Sequence, residues 1–311
     1  MIFITIRDFL IYVFVLILSI PFRLLSYPKA LKLGTKVVRL LFPLFPKYRR
    51  IALENISKAF PEKNESELQE IFNDHLDHLG YLLADTFWKS KMTQKWFDKY
   101  VEYEPGSLEV EQEMVEQVKQ TKVGFILVSG HIGTWENIVQ FVGYRMHGSA
   151  VYKKIKNRFL DRWVEKQRGQ FGTKMFTMDE TGPLIKYLKQ GGVAGLAADQ
   201  NAGGAGIFID FLNRPASTYR GPATIAYLTG APIVFITLIH RGNGFMDLYL
   251  ENLGSILKSD FPDKELAIRE GTERWVKALE RSIQKTPGQY FWVHRRWKTT
   301  PEMMEKLKAK K

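Results

Sequence analysis

The chain of 311 residues contains no cysteine. Disulfides, thiolate metal sites and a cysteine nucleophile are therefore excluded, while the cellular compartment stays open. Internal repeats and low-complexity linkers are also missing, which favours a single domain. Acidic residues are in short supply: 33 Asp and Glu stand against 45 Lys and Arg, for a formal charge of +12. A bias of that size calls for an anionic partner, whether nucleic acid, an anionic membrane surface, a phosphorylated substrate or an acidic protein.

The most prominent uncharged run is at the N-terminus, where Phe9 to Phe22 covers 14 residues. That is shorter than the roughly 20 residues of a spanning helix. Counted from Met1, with Arg7 and Asp8 paired or snorkelling, the segment reaches bilayer thickness, so a spanning helix and an in-plane anchor both fit. No small-residue cleavage motif follows it, which argues against a removable signal peptide. Residues 1–25 thus read as a membrane anchor and residues 26–311 as the functional domain. Arg23, Lys29, Lys32, Lys36, Arg39, Lys47, Arg49 and Arg50 lie downstream, against Arg7 upstream. This asymmetry puts the body of the protein on the cytoplasmic face and suits contact with anionic lipid.

A capping box at Asn64 and Glu67 opens a helix that the spacing carries to about Lys89. His75 and His78 fall within it and are expected on its surface. From Val123 the pattern changes to strands alternating with helices. Expected strands are Val123–Val128, Ala150–Lys153, Val193–Ala198, Ile207–Phe211, Pro232–Ile239 and Phe245–Leu250. Expected helices are Thr134–Arg145, Phe159–Phe171, Pro183–Lys189, Pro222–Leu228 and Lys264–Ile283. The fold class read from this alternation is α/β: one domain with a mostly parallel central sheet flanked by helices, plus the N-terminal anchor helix.

Chemistry concentrates where the first of these strands ends, in Ser129-Gly130-His131-Ile132-Gly133-Thr134-Trp135-Glu136. Ligand-facing groups collect at the carboxyl ends of strands in such sheets. On a regular helix, positions five apart lie about 140° around the axis, so His131 and Glu136 would not share a face. They meet if His131 sits in the turn and Glu136 on the first helical turn, with Gly130 and Gly133 supplying backbone freedom. A His oriented by a carboxylate can take a proton from a hydroxyl. The alternative is a buried His in a turn beside a surface Glu.

Further polar clusters close other strands. They are Tyr152-Lys153-Lys154-Ile155-Lys156-Asn157 with Arg168 on the next helix, then Asp199-Gln200-Asn201, and Tyr290 to Lys298 with interleaved aromatic and cationic residues. Each has a plain reading as well: solvated lysines, a turn, a surface ion pair, or a nucleic-acid platform.

The ordered set His131-x4-Glu136, Tyr152-Lys153…Asn157…Asp161…Arg168, Asp199-Gln200, Phe208…Phe211 with Pro215-Ala216, Gly230-Ala231-Pro232 and Gln289-Tyr290-Phe291-Trp292…Arg295-Arg296-Trp297-Lys298 resembles the bacterial lipid A biosynthesis acyltransferases, within the glycerolipid acyltransferase-like superfamily. The N-terminal anchor and Asn55…Phe60-Pro61-Glu62 extend the resemblance over nearly the full length.

The resemblance implies transfer of a fatty acyl group from acyl-carrier protein or acyl-CoA to a hydroxyl of a phosphorylated glycolipid at the bacterial inner membrane. No cofactor, metal or nucleic acid is implied. His131 would be the general base and Glu136 the carboxylate that holds its ring. Lys153, Asn157, Arg168 and Asp199 would contact substrate, with Arg168 holding phosphate or structuring the site and Asp199 positioning Arg168 or binding sugar. Backbone amides near Gly130–Gly133 or a cationic side chain would stabilise the oxyanion. Tyr152-Lys153-Lys154 replaces the family's usual Tyr-Arg-Pro and loses bidentate geometry, which points to a different acceptor head group. Two alternatives stand beside this one: an acyltransferase for another lipid, and a non-catalytic basic protein binding membrane or nucleic acid.

Overall fold

The computed structural model describes residues 2–146 and 148–308. Helices α1 (Ile2–Leu24), α2 (Tyr27–Leu41), α3 (Pro46–Ala59), α4 (Glu65–Trp88) and α5 (Gln94–Tyr100) come first, followed by β1 (Val101–Tyr103) and α6 (Ser107–Thr121). The alternating part begins with β2 (Ile126–Ser129), α7 (Trp135–Met146), β3 (Gly148–Tyr152) and α8 (Arg158–Arg168). It continues with β4 (Lys174–Thr177), α9 (Thr181–Leu188) and β5 (Val193–Ala197). A hairpin of β6 (Ile207–Phe211) and β7 (Arg214–Thr218) leads to α10 (Gly221–Thr229), β8 (Ile233–Gly242), β9 (Phe245–Asn252), α11 (Lys264–Lys285) and α12 (Pro301–Lys308).

Seven strands form one sheet in the order β1-β9-β8-β2-β5-β3-β4, and every pairing is parallel except β8 with β9. The mostly parallel α/β expectation therefore holds. Its reason is visible in β8, whose first eight residues are all buried, as a strand covered on both faces requires. One face packs on α9, α10 and α11 through Ile126, Val128, Leu184, Ile225 and Trp275. The other packs on α6 and α7 through Leu127, Met114, Ile138, Phe141 and Val142.

Among the described residues, strand β6 stands apart from this sheet and pairs with β7 across a turn in which Leu212 and Asn213 have φ of 49° and 60°. Its partner was not among the expected strands: Pro215 interrupts the strand pattern, as proline within a sheet does, and is accommodated here on a two-stranded hairpin. Strands β1 and β4 were also missed; with three and four residues they carry little pattern.

The capping box forms: Asn64 accepts from the Glu67 amide at 3.1 Å and Glu67 accepts from the Asn64 amide at 2.9 Å. His75 and His78 differ from expectation. Both are buried, because α4 is covered by α2 and by the turn at Pro287–Gln289 rather than facing water. The burial pushes the imidazole of His75 down to about 4.

Helix α1 is long and apolar enough to cross a membrane by length and composition. It also touches the domain near both ends. Asn157 donates to the Asp8 carbonyl at 2.8 Å, Phe9 and Tyr12 pack on Phe159, and Phe22 packs on Phe87. Its other side leaves Leu10, Phe14, Ile17 and Leu24 exposed.

Candidate active site

The pairing of β3 with β5 stops at Ala150 and Gly195. Pairing of β2 with β5 continues to Ser129 and Ala197, and that of β3 with β4 continues to Tyr152 and Thr177. Strands β3 and β5 therefore part at the carboxyl edge of the sheet, and a cavity of about 450 Å³ opens in the gap. Gly195, Leu196 and Ala197 of β5 and Ala198 just after it line the cavity. Successive strand residues point to opposite faces, so the cavity runs through the split and reaches both sides of the sheet. Toward α7 its walls are Leu127, Ile138, Val139, Val142 and Ile236; at its mouth stand His131, Glu136, Lys153 and Arg168.

His131 enters this space from the turn after β2. Gly133 has φ of +54°, and a Cβ there would lie 2.2 Å from the Leu238 carbonyl oxygen, so the turn needs glycine. The following residue is anchored twice: the Thr134 amide donates to Leu238 and its hydroxyl donates to buried Asp85 at 2.7 Å. Asp85 also takes hydrogen bonds from Tyr27 and His240, tying α2, α4 and β8 to the start of α7.

The carboxylate on the imidazole is Asp199. Nδ1 of His131 lies 2.6 Å from Asp199 Oδ1, and the His131 amide donates to the same carboxylate. With Nδ1 engaged, Nε2 is left for the cavity. Asp199 is itself buried, and Tyr290 and Arg296 face it. Burial opposes ionisation of this carboxyl, but His131 outweighs it and holds the group at about 2. Burial likewise opposes charging of His131, yet the charge and hydrogen bond of Asp199 raise its pKa above the ordinary 6.5.

The expected His131–Glu136 contact is replaced by another. Glu136 sits on the first turn of α7, where its carboxylate takes both donors of the Arg168 fork: Nε at 3.1 Å on Oε2 and Nη2 on Oε1. The Lys89 ammonium lies 3.7 Å from Oε2 and donates to the Glu136 carbonyl at 2.7 Å. Burial would raise the Glu136 carboxyl, but Arg168 and Lys89 bring it down to about 2. Arg168 is also held over the Tyr152 ring at 5.9 Å.

Of the other residues singled out, Lys153 is exposed and lines the mouth. Asn157 is not among the residues lining the cavity; it caps α8 by accepting from Phe159 and Leu160 and donates to the Asp8 carbonyl of α1. Asp199 contacts His131 rather than Arg168. The Gly133 amide is committed to the Gln289 carbonyl and that of His131 to Asp199, so neither is free for an oxyanion. Sequence reasoning missed Lys89, which looked like the last residue of an ordinary helix. Arg296, seen only as part of an aromatic-basic block, is buried and donates to Ser217 and Thr218.

The profile of the family described as "Bacterial lipid A biosynthesis acyltransferase" matches residues 3–299. The lipid A biosynthesis lauroyltransferase of Escherichia coli (strain K12) is 27% identical over 288 residues, 89% of this chain and 88% of that protein. The lipid A biosynthesis palmitoleoyltransferase of the same organism is 24% identical over 289 residues, 89% of this chain and 87% of its own. A lipid A biosynthesis acyltransferase of Haemophilus influenzae is 26% identical over 265 residues, covering 81% and 78% of the two chains. With its profile matched over nearly the whole length, the chain belongs to the bacterial lipid A biosynthesis acyltransferase family.

Proposed function

We propose that the protein moves a fatty acyl group from an acyl thioester, carried by acyl-carrier protein or CoA, to a hydroxyl of a lipid A precursor. The observation that carries this reading is the His131–Asp199 pair at 2.6 Å on the wall of an apolar cavity. Asp199 fixes the tautomer with Nε2 as the acceptor and stabilises the imidazolium that forms. Nε2 takes the acceptor hydroxyl proton while that oxygen bonds to the thioester carbon. As the tetrahedral intermediate collapses, the C–S bond breaks and the imidazolium returns the proton to the departing sulfur. No enzyme nucleophile is needed, because a thioester is already activated. Arg168, a cation lining the same cavity and held beside Glu136, supports the oxyanion.

The acyl chain is accommodated by the arm between the sheet and α7, where Leu127, Val142, Ala150 and Gly195 leave room. An apolar pocket discriminates one methylene by about 1–3 kcal/mol. Ala150→Leu, which fills that arm, is thus expected to lower kcat/KM for the longest accepted chain at least about tenfold per methylene displaced, and to spare shorter donors. A donor series of graded chain length reads this out; an unchanged chain-length profile would move the acyl chain elsewhere.

The exposed apolar side of α1 supports membrane association, since α8 and the Asn157 contact put that helix close to the cavity mouth. The basic segment from Arg23 to Arg50 supports a cytoplasmic disposition. The test of the function is transfer of labelled acyl groups to a lipid A precursor and, separately, to a lysophospholipid, in mixed micelles. Product on the lipid A precursor is the expected result. Product on the lysophospholipid alone would select the second acceptor class, which Lys153 at the mouth in place of Arg keeps open. No product from either would sink the reading.

A further inference from the structure

Lys89 is a lysine with no water to face: its side chain is 4% exposed, at the junction of α4 with the first turn of α7. It touches no part of the cavity, yet its ammonium is committed to Glu136 through the backbone carbonyl at 2.7 Å and Oε2 at 3.7 Å. Glu136 in turn holds both donors of Arg168, so one carboxylate stands between two cations. Arg168 and Glu136 alone would form a neutral pair with little to offer a developing negative charge. With Lys89 present, Lys89, Glu136 and Arg168 together carry one net positive charge, while Asp85, which also faces Lys89, is engaged by Tyr27, Thr134 and His240. Arg168 and Glu136 line the cavity and Lys89 does not, so that charge is felt at the cavity wall beside His131.

We propose that Lys89 is a positioning residue: it neutralises Glu136 from the buried side, so that Arg168 faces the reacting thioester with an uncompensated positive charge. The role rests on the acyl-transfer reading above and deepens it by naming what keeps Arg168 cationic in effect as well as in form. In a poorly solvated site, such a fixed charge is worth far more than in water. The charged groups that face Lys89 are Glu136 on α7, Arg168 on α8 and Asp85 on α4, the helix that ends just before Lys89. Burial lowers its pKa to about 8, against the pull of Glu136. The ammonium is therefore present below about pH 8 and lost as pH rises through that value, taking the net charge with it.

The test compares wild type, Lys89→Met and Lys89→Arg in the full-length protein, with acyl transfer measured from pH 6 to pH 10 and folding checked by circular dichroism and thermal melting. Lys89→Met keeps the length and removes the charge; its kcat is expected to fall about 10- to 100-fold, with KM for the donor changed less. Lys89→Arg, whose guanidinium does not titrate in this range, is expected to keep more activity than Lys89→Met. It should also lack the alkaline decline that wild type shows near pH 8. A folded Lys89→Met enzyme with wild-type kcat overturns the proposal. So does a Lys89→Arg enzyme that declines near pH 8 as wild type does, and this comparison stands even where Lys89→Met fails to fold. Wild-type transfer that His131→Ala abolishes, with Lys89→Met unaffected, would fault Lys89 alone; absence of wild-type transfer would fault the acyltransferase reading itself.

Discussion

Replacing His131 by Ala is expected to reduce acyl transfer by about 10²- to 10⁴-fold, the contribution of a positioned general base. Asp199→Asn should approach the same loss. The amide keeps the shape but presents a neutral group to Nδ1, so the imidazolium loses its counter-charge and the tautomer its constraint. Because the two act as a unit, the double variant should be scarcely slower than His131→Ala alone. Steady-state kcat/KM with a labelled donor measures all three.

The pH dependence has a definite sign. The raised pKa of His131 means that its base form appears only as pH climbs past a value above 6.5, so wild-type activity should rise through that region. Asp199→Asn removes the main cause of the upward shift while burial remains, and the acid limb should move to lower pH. An Asp199→Asn enzyme within a few fold of wild type, with its acid limb in place, would mean that the carboxylate does not serve the base.

Glu136→Gln is expected to damage both stability and rate. It leaves the guanidinium of Arg168 and the nearly buried ammonium of Lys89 without the charge between them; because Glu136 is only partly buried, the expected cost is at the low end of the about 3–5 kcal/mol for breaking a buried pair. Linkage yields a similar figure. The Glu136 carboxyl falls from its ordinary 4.5 to about 2 in the fold, which corresponds to about 3 kcal/mol of stability. A depressed carboxyl stabilises above its unfolded value, so this contribution is complete above about pH 5 and lost as pH falls toward 2. The denaturation curve of Glu136→Gln should therefore be flatter than wild type across that window. Its activity should fall with that of Arg168, while the acid limb set by His131 shifts less than in Asp199→Asn. A variant with wild-type melting behaviour and rate would show the Lys89–Glu136–Arg168 cluster to be incidental.

Much of the architecture was legible along the chain. Apolar runs of strand length separated by helix-period segments announce a covered parallel sheet, and Asn64 with Glu67 announces the start of α4. Short or proline-bearing strands such as β4 and β7 were silent, since pairing partners rather than local pattern make them strands. His131 and Glu136 stood out along the chain because they follow a buried strand into a glycine-containing turn.

What each of them touches was another matter. By itself the sequence determined the class of the fold, the turn that exposes His131 and the family to which the chain belongs. Tertiary structure decided the partners. Strands β2 and β5 are neighbours with Ser129 beside Ala197, so His131 and Asp199, each two residues further on, meet although 68 positions separate them. Glu136, only five positions from His131, is turned by α7 toward α8 and closed in by Arg168 and Lys89. Spacing along a chain constrains only neighbours on the same element, whereas strand order and register select which carboxylate reaches the imidazole.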